Sequence, residues 1–449
     1  MSAPQKRRWE LPIFALPHGP IGALSLPPAV FLPPYFAEHL GLPLALIPVI
    51  FVGARLLDII IDPMIGGWQD RTRTKFGRRR LWLTLSTPIV MLFAWVVFIG
   101  LPQGVDPLIA GAAMFALYVS YATIMIAHLG WAGELRQDYG GRTNAFGAVQ
   151  LAGMTGAMLI LLLPSFVRQA GWGDDADAVH VMGWSIIITL PLCTALCIAL
   201  VREPDVPPEP TLSWRVQWEA LRTNASLRQV LAPDLLLGIA QGVSGGLFLF
   251  YFQHILGFER ESQTLLFVYF VSGVLGVPLL MMLGRRIGKH RALQAACLYA
   301  AIVTVMLFIL PRGSFWIALA AMFVAGLHQG ANSLLLRAML ADVLDEDLMK
   351  TGAQRSGLFY GLMLTTSKLG LAMGPLTYGV LAMFGFDPEL GGANSSEAMA
   401  ALAALFIGVP AAIYLLSAWS LRFYTLDETR QRALRAEIDA RSAQAASSQ

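Results

Sequence analysis

The chain has 449 residues, 56% of them hydrophobic and only 14% charged, with a formal net charge of +3 and a mean hydropathy of +0.60. A soluble chain carries about 25% charged residues, so most of this one belongs in lipid, and its near-neutral balance leaves no case for a nucleic-acid partner. Its three cysteines, Cys193, Cys197 and Cys297, lie in apolar stretches without ligand spacing, which argues against a zinc or disulfide framework.

A membrane-spanning helix needs about 20 apolar residues. Segments that meet this need fall at 12–36, 42–65, 81–101, 107–130, 143–167, 180–201, 230–255, 264–284, 291–311, 314–340, 357–384 and 398–421. The fold class is therefore an all-α membrane protein of twelve transmembrane helices. The basic N-terminus MSAPQKRRWE is followed by no small-residue cleavage site, so a cleaved signal peptide is not expected. The first segment holds Pro12, Pro17, Pro20, Pro27, Pro28, Pro33 and Pro34. Interior prolines remove helix hydrogen bonds and free carbonyls that lipid cannot satisfy, so this helix is expected to be kinked and to face a cavity.

The second segment carries Arg55, Asp58 and Asp62. Offsets of three and seven residues place these charges on nearly one face of a helix. Each costs roughly 2.5–3.5 kcal/mol at mid-membrane, so charges kept there usually line a working cavity. One guanidinium and two carboxylates are one cation short of neutral, and that deficit points to a bound cation.

The longest polar connector, 202–229, opens with EPDVPPEP and divides the chain into bundles 1–201 and 230–424, with a charged, Ala-rich tail 425–449. A repeat supports two six-helix halves: GGWQDRTRTKFGRRR follows the second segment and GRRIGKHR the eighth. With the N-terminus in the cytoplasm, 27 of the 32 lysines and arginines fall in cytoplasmic pieces and only Arg168, Arg260 and Arg312 in outer loops. That asymmetry orients both termini to the cytoplasm, in a multi-pass protein of the plasma (bacterial inner) membrane.

Polar residues in the remaining segments are candidates for substrate or proton contact: His18, Tyr121, His128, Trp131, Gln241 and His328. Asp70, Arg71, Arg78, Glu134, Arg142, Asp342 and Arg355 gather at cytoplasmic helix ends. They read as gating ion pairs that tie the halves together, or as an orientation signal in contact with membrane lipid headgroups. No Gly-rich phosphate loop, zinc spacing or nucleophile elbow makes a case for an enzyme.

Three ordered stretches resemble the glycoside–pentoside–hexuronide:cation symporters, the melibiose-carrier group of the major facilitator superfamily. They are Arg55-x-x-Asp58-x-x-x-Asp62-Pro63-x-x-Gly66 with its continuation through Asp70 to Arg79, Glu134 to Thr143, and Ala341 to Lys368. The resemblance implies alternating access in a monomer, with the site between two halves. It implies that Asp58 and Asp62 hold the coupling cation, Na⁺ or H⁺, with a hydroxyl from Thr123 or Tyr121 as a further ligand and no other cofactor. Lys368 is similar to the family's eleventh-helix lysine, a charge partner near both cation and substrate, and Arg55 can pair with the aspartates when the cation is absent. The acids and base that bind galactoside-type sugars are missing: His18-Gly19, Met125 and Gln150 stand near their positions. The expected substrate is a small organic solute other than such a sugar, or an amphipathic lipid such as a lysophospholipid.

Overall fold

A computed structural model of the chain describes all residues except 1–8, 44–45, 137–138, 170, 173–174, 205–218, 220, 259–260, 353–354, 375, 388–392 and 448–449. Each of the twelve apolar segments is helical, and no strand occurs among the described residues.

The first segment is broken as its prolines require. It runs as α1 (Glu10–Ala15), α2 (His18–Ser25), α3 (Pro27–Val30) and α4 (Leu32–Pro34), then a π turn at Tyr35–His39. Pro17 sits between α1 and α2, and Pro27 opens α3 without an N–H to waste. Next come α5 (Ile47–Arg71), α6 (Arg78–Trp95, prolonged by a π turn at Val96–Gly100), α7 (Pro107–Leu135), α8 (Tyr139–Gln169) and α9 (Asp175–Leu200). Both α5 and α6 pack along α7, and α2 lies on α8. The α2–α8 crossing brings backbones together: a methyl added at Gly22 would stand 2.6 Å from Gly153 Cα, so only glycine allows it.

The later segments are α10 (Ala225–Phe250), α11 (Ser262–Ile287), α12 (Lys289–Met306), α13 (Phe315–Gly326), α14 (Arg337–Thr351), α15 (Ser356–Leu371), α16 (Leu376–Met383), α17 (Ser396–Ala403) and α18 (Val409–Ser420). The charged tail forms one more helix, α19 (Glu428–Ser447). Gln431 and Arg435 of α19 reach Asp345 at 3.2 and 3.4 Å, which ties this helix to α14.

The sequence repeat has a structural counterpart. Gly77 (φ +111°) and Gly288 (φ +89°) are the residues before α6 and α12, and both take backbone angles that side-chain-bearing residues avoid. Each glycine turns the chain directly into a helix whose first turn is basic. At α6, the Glu203 carboxylate accepts the N–H groups of Arg78, Arg79 and Arg80 at 3.0, 2.7 and 3.0 Å. It satisfies donors that a helix start otherwise leaves open.

The outer surface is apolar. Leu85, Ile89 and Leu92 on α6 are exposed, as are Trp184, Ile188, Leu192, Leu196 and Leu200 on α9 and Leu298, Ile302 and Val305 on α12. Their spacing of three or four residues makes continuous apolar stripes, which in water would be untenable and in a bilayer meet acyl chains. Eight of the described helices are long and apolar enough to cross a membrane without interruption. The first, tenth and eleventh segments are interrupted, and α5 carries Arg55, Asp58 and Asp62 within its length.

By internal contacts the chain forms two compact units. One comprises Met1–Gln217 with Asp347–Leu362, the other Trp218–Glu346 with Met363–Gln449. The division near 217 falls inside the expected connector 202–229, most of which lies outside the described residues. Residues 347–362, which the sequence reading placed in the second bundle, belong to the first unit. Several helices also overrun their expected ends: α5 continues to Arg71, α7 to Leu135 and α14 to Thr351. Hydropathy marks where lipid ends, whereas the helix continues through charged residues that find partners beyond it.

Candidate functional site

Asp62, one residue before Pro63 on α5, has no exposed surface. The backbone of α15 passes over it: a methyl added at Gly361 would lie 2.8 Å from the Asp62 carbonyl oxygen. Arg55 and Asp58 occupy the same helix two turns and one turn earlier, and their side chains lie outside the described residues. Thr123 is half-buried on α7; its hydroxyl donates to the Val119 carbonyl at 2.7 Å, and its own carbonyl accepts from Gln69 Nε2 at 2.8 Å. Thr123 lines a half-open groove between α6 and α7, with Trp82, Ser86, Phe93, Phe115 and the exposed Leu85 and Ile89, so the groove opens on the apolar outer surface. Tyr121 is half-buried two residues earlier.

The first unit also brings together three residues that the sequence read separately. His18 Nδ1 and His128 Nδ1 lie 3.3 Å apart, and His128 Nε2 is 2.8 Å from the Phe14 carbonyl oxygen. The carbonyl only accepts, so His128 Nε2 carries a proton and one further proton is shared between the two Nδ1 atoms. Trp131 stands one turn along α7 from His128 with its ring edge-on to Phe14 at 5.3 Å. The indole Nε1 is buried and has no hydrogen-bond partner among the described residues.

A charge cluster forms where α5, α6, α7 and α15 meet. Arg79 Nη2 donates to Asp70 at 2.6 Å and to Glu134 at 2.8 Å, and it also reaches the Ser356 hydroxyl. Arg78 Nη2 donates to Glu134 at 2.8 Å and its Nη1 to the Asp70 carbonyl at 3.2 Å. The Ser356 hydroxyl donates to Glu134. Asp70 completes the set by accepting the N–H groups of Gly357 (2.8 Å) and Leu358 (2.9 Å), buried donors that the start of α15 leaves without an intrahelical partner. All five side chains are buried, and two arginines balance two carboxylates. Neutrality and the shared hydrogen bonds make such a buried set tolerable, although Arg79 Nη1 and Glu134 Oε2 find no partner among the described residues.

The other expected gating residues take different places. Arg71 is exposed at the end of α5, and Arg142 is buried in the first turn of α8. Arg355 pairs with Asp347 through two hydrogen bonds, one of 2.8 Å from its Nε, and stacks 5.7 Å from the Phe359 ring. In the second unit Asp342 pairs with Lys289 at 2.6 Å, both side chains buried. Lys289 opens α12 much as the arginines open α6, so the repeat extends to the chemistry: a basic first turn meets an acid at the far end of the next apolar segment. His328 packs edge-on against Tyr299 and Tyr414, Gln241 is exposed on α10, and Lys368 is buried on α15.

Four residues of these sites escaped the sequence reading. Arg79 lies next to Arg78 in one basic run, and only the angle between neighbours on a helix decides which is innermost. Ser356 carries no sequence signal. Lys289 had one, its place after Gly288 in the repeat. Asp234, a carboxylate of the seventh segment, lies well inside α10, which begins at Ala225.

Twelve membrane helices, an internal repeat with matched basic turns, and a buried acid in the second helix define a secondary transporter of the major facilitator superfamily. Within it, the chain belongs to the MFS/sugar transport protein family, which matches residues 13–428. It is 25% identical over 402 residues to the inner membrane symporter YicJ of Escherichia coli K12, covering 87% of this chain and 86% of that protein. It is 24% identical over 429 residues to a sodium-dependent lysophosphatidylcholine symporter (1-A) of Danio rerio, covering 85% and 79% respectively. Its fold resembles a crystal structure of the E. coli fucose:proton symporter FucP, with a TM-score of 0.66 at 13% identity over 93% of this chain and 100% of the other. The protein is an integral multi-pass membrane transporter and not an enzyme.

Proposed function

We propose that this transporter takes up a small organic solute by symport with Na⁺ or H⁺, and that Asp58 and Asp62 on α5 hold the cation. The observation that carries the reading is the full burial of Asp62 in a lipid-length helix of a symporter-family chain. A carboxylate there is costly unless a cation meets it. Carboxylate oxygen suits a hard cation or a proton. The cation neutralises the pocket, so cation and solute stabilise each other's bound state, and Arg55 serves as a counter-charge when the site is empty. The cluster of Arg78, Arg79, Asp70, Glu134 and Ser356 holds the 347–362 segment in one stage of the cycle and releases it in another. The protein works as a monomer in the inner (plasma) membrane with both termini in the cytoplasm.

An amphipathic lipid is the second substrate reading. The absent sugar acids favour it, as does the lysophosphatidylcholine symporter among the relatives. A thermal-shift screen of purified protein decides both questions, because ligand stabilisation grows with occupancy. Glucuronides, pentosides and lysophosphatidylcholine are added with and without Na⁺ at two pH values. Stabilisation by one solute class only when the cation is present is expected, together with its loss in Asp58→Asn and Asp62→Asn. Undiminished cation dependence in both variants would overturn the coupling site.

A further inference from the structure

The second unit contains a buried carboxyl that nothing above employs. Asp234 lies nine residues into α10, inside the continuous apolar span Ala225–Ile255, and is 9% exposed. Its Oδ2 is 2.6 Å from Thr366 Oγ1 and 2.8 Å from Ser367 Oγ, both on α15. The two helices are held close there, since a methyl at Gly238 would meet the Ser367 carbonyl at 3.1 Å.

Thr366 Oγ1 also lies 2.9 Å from the Met363 carbonyl oxygen. A hydroxyl has one proton to give and two lone pairs to receive. If the carboxyl is ionised, the Thr366 and Ser367 hydroxyls both donate to it. If it is protonated, it donates to Thr366 Oγ1, and the Thr366 proton turns to Met363. Either form is satisfied, and only a hydroxyl rotates between them.

No cation stands within ion-pair distance of Asp234 among the described residues. Arg337, at the start of α14, acts on it electrostatically from farther away. On α15, Lys368 follows Ser367, a helical step of about 100° round. The packed α18 presents Tyr414, the turns Asn332–Leu336 and Ala404–Gly408 carry no titratable side chain, and Arg422 is exposed. The continuation of α10 bears Tyr251, whose hydroxyl donates to the Leu307 carbonyl, and His254, twenty residues beyond Asp234. The Tyr378 side chain of α16 lies outside the described residues.

A membrane carboxyl with neutral donors and no ion pair is suited to bind and release H⁺ rather than to hold a permanent charge. We infer that Asp234, cradled by Thr366 and Ser367, is a proton-binding site of the second unit, separate from the Asp58–Asp62 site. The proton leaves Asp234 for water when the site opens, and the carboxylate left behind keeps both hydroxyl donors.

The test is acid-minus-alkaline infrared difference spectroscopy on the full-length protein in phosphatidylcholine–phosphatidylglycerol vesicles. A protonated-carboxyl C=O band that titrates away in the parent is expected to be missing from Asp234→Asn and retained in Asp62→Asn. Thr366→Val and Ser367→Ala keep the carboxyl but each remove a donor to its anion, so the band should persist to a pH higher by about one unit. Loss of the band in Asp234→Asn with an upward midpoint in either hydroxyl variant supports the site. An Asp234→Asn spectrum equal to the parent's, or a midpoint unmoved in both hydroxyl variants, overturns it. If Asp234→Asn does not fold, the hydroxyl variants decide alone, and none of these outcomes depends on cation binding at Asp58 or Asp62.

Discussion

Replacing Glu134 with Gln tests the charge cluster most directly. Glu134 Oε1 accepts from Arg78 at 2.8 Å, from Arg79 at 2.8 Å and from Ser356, in surroundings without solvent. The cluster is neutral with two arginines against two carboxylates, so Glu134→Gln leaves one buried positive charge uncompensated. Breaking a buried pair in this way costs about 3–5 kcal/mol. The cost falls on the arrangement in which the start of α15 rests on Asp70, because Ser356 belongs to the same cluster. At about 1.36 kcal/mol per tenfold change, local opening should become roughly 100-fold more frequent or greater. The N–H groups of Gly357 and Leu358 report it, since both donate to Asp70 at 2.8 and 2.9 Å. Hydrogen exchange measured by mass spectrometry on the peptide spanning 356–362 should show protection falling by that factor. Arg78→Gln combined with Glu134→Gln restores neutrality and should recover most of the protection. Exchange that rises less than about threefold in Glu134→Gln would refute the claim that this cluster holds the segment.

Three further outcomes follow from the same geometry. Lys289→Met strands Asp342 in a buried site and should lower thermal stability by about 3–5 kcal/mol, while Lys289→Met with Asp342→Leu should recover much of it; equal melting of the single and double variants would contradict the pairing. Glu203→Ala removes the acceptor of three N–H groups at the start of α6 and should cost about 1–2 kcal/mol by thermal denaturation, and no measurable loss would show that water replaces it. Gly22→Ala drives a methyl into the Gly153 backbone and should abolish monodisperse protein on size-exclusion chromatography, whereas Gly245→Ala, with nothing within 4 Å, should behave as the parent; matching profiles would disprove the close crossing.

The residues that the structure gathers differ in how visible they were. His18, His128 and Trp131 were each noticed as polar groups in apolar surroundings, and the fold unites them across more than a hundred residues of chain. Asp342 stands out in the sequence, but its partner Lys289 does not, because a cytoplasmic lysine looks the same whether it faces headgroups or a buried acid. Thr123 was singled out for its hydroxyl, yet that hydroxyl is turned to Val119 in its own helix, a local choice that the residue type does not reveal. The tail showed its charge in composition; that Gln431 and Arg435 dock on Asp345 depends on where α14 ends.

What the amino-acid order settles unaided is everything that lipid dictates locally. A span must be apolar and about 20 residues long, a proline must break it, and a glycine must stand where φ is positive, so helix number, the fractured first segment and the Gly77 and Gly288 turns are all legible in the chain. The expense of a charge in lipid likewise marks Asp62 without any coordinates. Which charge meets which is a different matter. Arg79 rather than Arg71 lies at the centre of the cluster, residues 347–362 join the first unit, and Asp234 shares hydroxyls with α15. Those choices depend on the angle at which distant helices cross and on which face each presents, and no local pattern of residues carries that information.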